Sequence, residues 1–359
     1  MRLDPSCGSS DSSGRGGSLI RKPELFESIP RFNPVNPVLV SLVIPVLNEA
    51  ENIHHLWERL RETGAKLPDL RFEVVFVDDG SQDGTSEKIQ ELAATHALGW
   101  KLVRLSRNFG HQAAISAGMR YAGGEALIFL DADLQDPPEM IPLFLEKFHA
   151  GNDVVYGIRQ NRKEPFWLRF CFKIFYRIFN MIADRPMPVD VGDFGLISRR
   201  VAKLIVAMPE HDRLIRGMRS WMGFKQIGIP YDRPERHAGT TSYSLCRRIE
   251  GALDGIFGYS KVPIRVALFT GLLVCATGGI YLLKALVSAV FFGGGTALVQ
   301  GWASLITLGF IVGGANLVAI AIVGEYVCRI YFQTKNRPLF VVDKIEVSHS
   351  EFTFAAVNE

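Results

Sequence analysis

Along the first 130 positions the apolar residues fall in short continuous blocks, each closed by a polar cluster. Val38–Val46 (VLVSLVIPV) runs into Leu47-Asn48-Glu49, and Phe72–Val77 into Asp78-Asp79-Gly80-Ser81. Lys101–Leu105 runs into Ser106-Arg107-Asn108-Phe109-Gly110, and Leu127–Leu130 into Asp131-Ala132-Asp133. Blocks of this length without alternation suit strands buried on both faces. The segments between them have helical spacing, first through Ile53, Leu56, Trp57 and Leu60 to about Thr63, and later from Gly110 to about Ala122. Gly80 and Gly84 permit a tight turn, and Ser81 or Thr85 can cap the next helix. Strand, loop and helix repeated four times predict an α/β domain with a parallel sheet. Such sheets bind ligands beyond the carboxyl ends of their strands, which is where all four polar clusters fall.

After residue 160 the pattern changes. Pro165–Ile182 (PFWLRFCFKIFYRIFNMI) contains no acid, and Arg169, Lys173 and Arg177 recur every four residues among aromatic side chains. A basic, aromatic amphipathic helix of this kind lies in a bilayer interface. Tyr243–Ser260 carries Leu245, Ile249, Leu253 and Ile256 on one stripe and reads as a second such helix. Val266–Leu283 is uncharged, the apolar segment continues past Lys284 to Phe292, and Gly293–Gly324 is uncharged throughout. Each is long enough to span a bilayer. Basic residues flank the pair on both sides (Arg247, Arg248, Lys261 and Arg265 before; Arg329, Lys335, Arg337 and Lys344 after), which places both flanks in the cytoplasm. Gly309 and Gly313 form a GxxxG, a motif of close helix packing.

The expected organisation is a disordered tail over 1–36, rich in Ser, Gly, Pro and Arg, then a catalytic domain over 37–242 that includes the interfacial helix 165–183. The second interfacial helix (243–261), two membrane helices (about 264–292 and 300–326, within 262–328) and a cytoplasmic tail over 329–359 complete it. A formal net charge of +3 gives no sign of a nucleic-acid partner. The 5 cysteines are scattered without a CxxC pair, which argues against a zinc site or disulfide framework and fits a reducing compartment.

The candidate chemistry centres on Ala126–Glu139 (ALIFLDADLQDPPE). Asp131 and Asp133 alternate along an extended chain, so their carboxylates point to the same side with small Ala132 between them. Two hard oxygen ligands with open positions suit Mg²⁺ or Mn²⁺ holding a diphosphate. GxGxxG and GxxxxGK[ST] are both absent, which disfavours a dinucleotide dehydrogenase or a P-loop ATPase.

VSLVIPVLNEAENI, VDDGSQDGT, LSRNFGHQAAISAG, LDADLQDPPE and the VGDF segment at Val191–Phe194 together resemble family-2 glycosyltransferases of the GT-A fold. More narrowly they resemble polyprenyl-phosphate glycosyltransferases of the bactoprenol glucosyltransferase type, relatives of dolichyl-phosphate mannose synthase. The resemblance covers about residues 38–340. It implies a Rossmann-like nucleotide-sugar domain in which Pro45, Leu47 and Glu49 line the nucleotide pocket and Asp79 contacts base or ribose. By the same resemblance Asp131 and Asp133, with Ala132 between and Gln135 beside them, bind metal and donor diphosphate. Asp193 stands where the family's proposed catalytic base stands. Arg159 falls near the phosphates, and Arg236, with Arg233, near the acceptor phosphate. The chain departs from the family in having Gly195 where many relatives have Arg, and Ser242 where they have Lys. His111 reads as a helix-start residue rather than a ligand.

The implied activity is inverting transfer of a hexose, with UDP-glucose as favoured donor, to undecaprenyl phosphate or a similar lipid. Mg²⁺ or Mn²⁺ would be the cofactor. The setting would be the plasma (inner) membrane of the cell, crossed more than once, with the catalytic domain and both termini cytoplasmic. The partners are a nucleotide-diphosphate sugar, the polyprenyl phosphate and the membrane, with a homo-oligomer as an option and no nucleic acid. GDP-mannose or a UDP-aminosugar is the alternative donor. A non-catalytic scaffold or flippase subunit is the alternative class. A processive synthase would carry QxxRW, which Arg216–Trp221 (RGMRSW) does not match.

Overall fold

The computed structural model describes residues 39–68, 70–95, 99–160, 191–233, 262–292 and 302–348. The tail over 1–36, both interfacial helices, Arg236 and Ser242 lie outside the described residues.

The chain builds one 8-stranded mixed sheet. In chain order the strands are β1 (Leu39–Val46), β2 (Arg71–Asp78), β3 (Gly99–Leu105), β4 (Ala126–Phe129), β5 (Val154–Gln160), β6 (Val191–Ser198), β7 (Gln226–Asp232) and β8 (Val342–Val347). The order across the sheet is β7-β5-β6-β4-β1-β2-β3-β8. β4, β1, β2 and β3 are mutually parallel, giving the Rossmann-like half expected of a GT-A domain. β6 runs against both β4 and β5, and β8 runs against β3. The chain winds from β1 through β2 to β3 and then returns to β1's other edge as β4. The topological switch therefore lies between β1 and β4, where a crevice opens at the carboxyl ends.

Helices cover the sheet: α1 (Ala50–Ala65), α2 (Thr85–Thr95), α3 (His111–Tyr121), α4 (Ile141–His149), α5 (Arg199–Ala207) and α6 (Ile215–Met222). Trp57 of α1 stacks on Phe76 of β2, with ring centroids 5.9 Å apart, and both are buried. α3 settles closest. Its buried residues are the small Ala113, Ala114, Ser116, Ala117 and Gly118 with Ile115 and Met119, and a Cβ on Gly118 would come within 2.2 Å of Val43 Cγ1. The missing side chain at Gly118 lets the helix approach β1 that closely, and the close fit fixes where its first residues stand.

At the opposite edge of the sheet, the amino ends of the strands are joined through a carboxylate. Glu73 is 1% exposed. Its Oε1 accepts from Ser41 Oγ and from the amides of Gly123 and Gly124, and its Oε2 lies 2.9 Å from Lys101 Nζ. One side chain thus joins β1, β2, β3 and the turn that leads into β4.

Two long helices come after β7: α7 (Val262–Phe292) and α8 (Trp302–Thr334). Among the described residues one stretch, Ile311–Thr334, is long and apolar enough to cross a membrane, against two expected. In α7 the corresponding stretch is the shorter Val266–Ile280, and Lys284 interrupts the apolar run beyond it. Among the described residues nothing lies within 4 Å of where a Cβ on Gly309 or Gly313 would stand, so no close packing is seen there.

The expectation of a tail from 329 onward needs correction. α8 continues to Thr334, and the chain then returns to the sheet as β8, whose Lys101↔Val347 to Leu105↔Val342 pairing covers the edge of β3. The segment is short and charged, as edge strands commonly are, and Asp343, Lys344 and Glu346 concealed its role in the sequence.

Candidate active site

Each strand end contributes to the crevice for a local reason. After β1, Asn48 takes a left-handed conformation (φ 55°) and its Oδ1 accepts the Gln82 amide at 2.9 Å. Ser81 Oγ and Thr85 Oγ1 accept the amides of Asn48 and Glu49, each at 3.0 Å. The loops after β1 and β2 are thereby bound to each other. Pro45 and Glu49 are half-buried there and Leu47 is exposed.

Asp79 is 3% exposed, and its two oxygens accept the amides of Phe109 (2.7 Å) and Gly110 (2.9 Å). Asp79 thereby holds the loop that starts α3. Gly110 (φ 97°) makes the turn that this requires. Arg107 and Asn108 lie in the same loop, with the Arg107 guanidinium 4.0 Å over the Phe109 ring.

β4 and β6 pair antiparallel with Phe129↔Gly195. Asp131 follows the end of β4 and Asp193 lies on β6 beside it, so that both carboxylates come within 4 Å of His111. That juxtaposition arises from strand pairing and is invisible in the linear sequence. Asp133 is buried, its Oδ1 accepting the Gln135 amide at 3.1 Å. The intervening Leu134 has φ 62°, a strained conformation for a branched residue, braced where Arg59 donates to its carbonyl at 3.4 Å. Gly195 is required by crowding: a Cβ there would stand 2.4 Å from Val155 O of β5. Any larger side chain in that position would force β5 away.

His111 stands between the two carboxylates. Its Nε2 is 3.8 Å from Asp131 Oδ1 and 3.6 Å from Asp193 Oδ2. Desolvation works against its charge, but the adjacent Asp193 carboxylate and the fields of Asp131 and Asp136 prevail and push its pKa up to about 9. Burial also opposes ionisation of Asp193. His111, Arg216 and Arg219 outweigh it and hold that carboxyl well below the usual carboxylate range. Burial, then the charge of Asp133, raise Asp131, while His111 and Arg233 pull it back.

On the far side of Asp131, Arg233 Nη2 lies 3.5 Å from its Oδ2. Asp136, 1% exposed, ties this corner together. It accepts from the Asp131 amide (3.3 Å) and from Tyr231 Oη (3.1 Å), and it faces Arg233 Nε at 3.9 Å. Burial and the charge of Asp131 push Asp136 up to about 7. Arg159 pairs in register with Tyr231 between β5 and β7, and a Cβ on Gly192 would strike its Nη2 at 2.7 Å. The glycine leaves the space the guanidinium occupies.

Asp131, Asp133, Asp193, Arg159 and Arg233 thus meet in one crevice, with Pro45, Leu47 and Glu49 at the adjoining strand end. The sequence marked His111 only as a helix-start residue, and it did not single out Gln112, Asp136 or Tyr231. The signal available was weak: His111 and Gln112 begin the helix after a polar strand end, and Asp136 completes the DADLQD run. The carboxylate pair fits a divalent ion by its chemistry. Asp131 and Asp133 are hard oxygen donors on alternate residues whose charges repel each other, and a cation there would relieve that repulsion. Among the described residues the one His/Glu trio spaced to hold an ion, His54, His55 and Glu58, lies exposed on α1 outside this crevice.

A family model for glycosyl transferase family 2 matches residues 41–205. An uncharacterized glycosyltransferase of Bacillus subtilis (strain 168), YkcC, is 40% identical over 308 residues, covering 85% of this chain and 93% of that one. A prophage bactoprenol glucosyl transferase homolog of Escherichia coli (strain K12) is 37% identical over 310 residues, covering 86% and 99%. The bactoprenol glucosyl transferase of Shigella phage SfII is 37% identical over 308 residues, covering 85% and 97%. Among solved structures, the mannosyltransferase PcManGT from Pyrobaculum calidifontis, in complex with GDP-Man and Mn²⁺, aligns over 86% of this chain and 91% of that one at 19% identity and TM-score 0.45. With relatives at this identity matched along nearly their whole length, the chain belongs to glycosyl transferase family 2.

Proposed function

We propose that the protein transfers a hexose, with glucose from UDP-glucose as first choice, to undecaprenyl phosphate or a similar polyprenyl phosphate at the cytoplasmic face of a membrane. The observation that carries this reading is the crevice itself. It sets acidic Asp131, Asp133 and Asp193 against cationic His111, Arg159 and Arg233, as a reaction between two phosphate-bearing substrates requires. The bactoprenol glucosyl transferases similar to it over most of its length support the same acceptor class.

Asp131 and Asp133 would hold Mg²⁺ or Mn²⁺, which when bound neutralises the donor diphosphate as it leaves. Arg159, fixed beside Tyr231, supplies further positive charge on that side. Glu49, Leu47 and Pro45 line the approach for the nucleotide, with Gln135 just after the metal pair. The Asp79 carboxylate keeps its place as the support of the loop at α3, and its remaining lone pairs are what it offers a ribose. Arg233, and Arg236 beyond it, would bind the acceptor phosphate. Asp193 lies opposite the metal pair and would orient the acceptor or stabilise positive charge developing on the sugar.

The membrane reading rests on the fate of the chain after β7. β7 and β8 belong to one sheet, so the chain that leaves at Asp232 returns to the same side at Val342. A membrane segment between them must cross an even number of times, which favours α7 and α8 as a hairpin of two spans over a single crossing. Large apolar side chains on both stand bare, among them Phe269, Leu283, Phe291, Leu305, Leu317 and Ile320. The foot of α8 from Glu325 onward is charged and bound to the catalytic domain, which leaves the uncharged Trp302–Gly324, roughly 35 Å of helix, for the lipid.

The metal's part is tested by titrating UDP into the purified full-length protein with and without Mn²⁺. Chelation is expected to weaken UDP binding by about tenfold or more, since two adjacent carboxylates then face the diphosphate with their charge uncompensated. Equal affinity in both conditions would remove the metal from the donor site.

A further inference from the structure

We propose that Gln112 is a positioning residue for Asp193, held in place by a loop that the foot of α8 pins down. The inference rests on reading Asp193 as a group that faces the reacting atoms.

The Gln112 amide makes two bonds of opposite sense. Its Oε1 accepts the Ile215 amide at 2.8 Å, and its Nε2 donates to Asp193 Oδ2 at 2.7 Å. Ile215 N–H can only donate, so the carboxamide has one orientation that satisfies both partners, and that orientation aims a donor at the carboxylate. The other Asp193 oxygen, Oδ1, is buried and has no hydrogen bond among the described residues. Gln112 and His111 together thus set how Asp193 is turned. The backbone of the same segment is supported from behind, where Arg219 donates to Gly192 O at 3.2 Å and Arg216 to Val191 O at 3.4 Å.

Ile215 opens α6, and the loop before it is fastened on two sides. Arg213 donates to Met208 O (2.6 Å), to Glu210 O (3.1 Å) and, back on α3, to Ser116 Oγ (3.4 Å). From the other side, Arg329 of α8 bonds Asp212 Oδ2 at 3.0 Å. Gln333 accepts the His211 amide at 2.9 Å and donates to Pro209 O. Polar contacts from the foot of α8 therefore hold loop 208–214, the chain leads from it to Ile215, and Ile215 and Gln112 carry the link to the carboxylate in the crevice. The placement of Asp193 would depend on α8 being seated.

The test uses full-length protein in lipid nanodiscs, assayed for sugar transfer to polyprenyl phosphate. Gln112→Glu keeps an acceptor for Ile215 and replaces the donor to Asp193 with a second carboxylate. Gln112→Met removes both bonds without adding charge. The expected result is a fall in kcat of about tenfold or more for each, with the donor KM within about twofold, because a misaimed group costs rate more than donor affinity. In an Asp193→Asn background Gln112→Met should lower kcat no further, the non-additivity of residues acting as one unit. Releasing the foot with Arg329→Gln and Gln333→Leu together should lower kcat in the same direction at unchanged donor KM. Wild-type kcat in both Gln112 variants, or full additivity with Asp193→Asn, would overturn the positioning role, and unchanged kcat on releasing the foot would overturn the part given to α8. A wild-type protein that transfers no sugar from any donor would remove the reading of the reaction and this inference with it, a failure distinct from active wild type with active variants.

Discussion

Asp133→Asn is expected to lower sugar transfer by roughly 10³-fold, and Asp193→Asn by less than about 10²-fold. The first substitution halves the carboxylate charge of the pair that would hold the divalent ion, and electrostatic stabilisation of a leaving diphosphate is worth several kcal/mol, each 1.4 of which is tenfold in rate. The second acts on a group whose chemical task is smaller. A phosphate monoester has its second pKa near 6, so the acceptor is already largely dianionic at neutral pH and needs little help in losing a proton. General-base catalysis is often worth about 10²–10⁴-fold, and here only part of that range is called upon. The structure agrees in placing Asp193 against His111 and near Arg216 and Arg219, surroundings that hold its carboxylate ionised and make it a poor proton acceptor. Steady-state transfer assays on the two variants side by side decide the matter. Equal and complete loss in both would make Asp193 as indispensable as the metal pair.

Glu73→Ala should destabilise the catalytic domain by about 3–5 kcal/mol, the range for breaking a buried ion pair by removing one partner. Ser41 Oγ and the Gly123 amide lose their acceptor and Lys101 loses its counter-charge, while the Gly124 amide keeps Ser41 Oγ and Lys101 Nζ keeps the Tyr121 carbonyl. Lys101 is 22% exposed and regains some water, which places the expected loss toward the lower end. Glu73 lies at the amino ends of the strands, away from the crevice, so the affinity for UDP measured below the unfolding transition should be unchanged. A large fall in thermal midpoint with intact UDP affinity supports this assignment. A wild-type midpoint would mean the network contributes nothing net.

The half of the fold that depends on local pattern was legible in the sequence. Continuous apolar blocks marked β1 to β4, and the polar residues closing them marked the crevice, because a strand buried on both faces can place polar side chains only at its end. Asp131 and Asp133 were legible for the same reason. What depends on pairing between distant segments was not. What brings Asp193 beside Asp131 is an antiparallel contact between β4 and β6. The enclosure of Asp136 by Tyr231 and Arg233 needs β7 at the sheet's far edge. His111 looked like a helix-start residue because nothing adjacent in sequence marks it; its carboxylate neighbours come from β4 and from β6. β8 was missed because a short alternating run with Asp343, Lys344 and Glu346 has too little apolar content to announce a strand. Its presence matters beyond the sheet, since it brings the chain after α8 back to the domain that β7 left. The resemblance to a family supplied roles that residue patterns alone could not, above all for Asp193 and Arg159.

The most direct test of the central claim incubates the purified protein in nanodiscs with undecaprenyl phosphate, Mg²⁺ or Mn²⁺, and radiolabelled nucleotide sugars taken one at a time, with Asp133→Asn as control. Label is expected to enter the organic phase from one donor, UDP-glucose first, and to stay out of it in the control. Label that stays in the aqueous phase for every donor, in a protein that also fails to bind UDP, would contradict that claim.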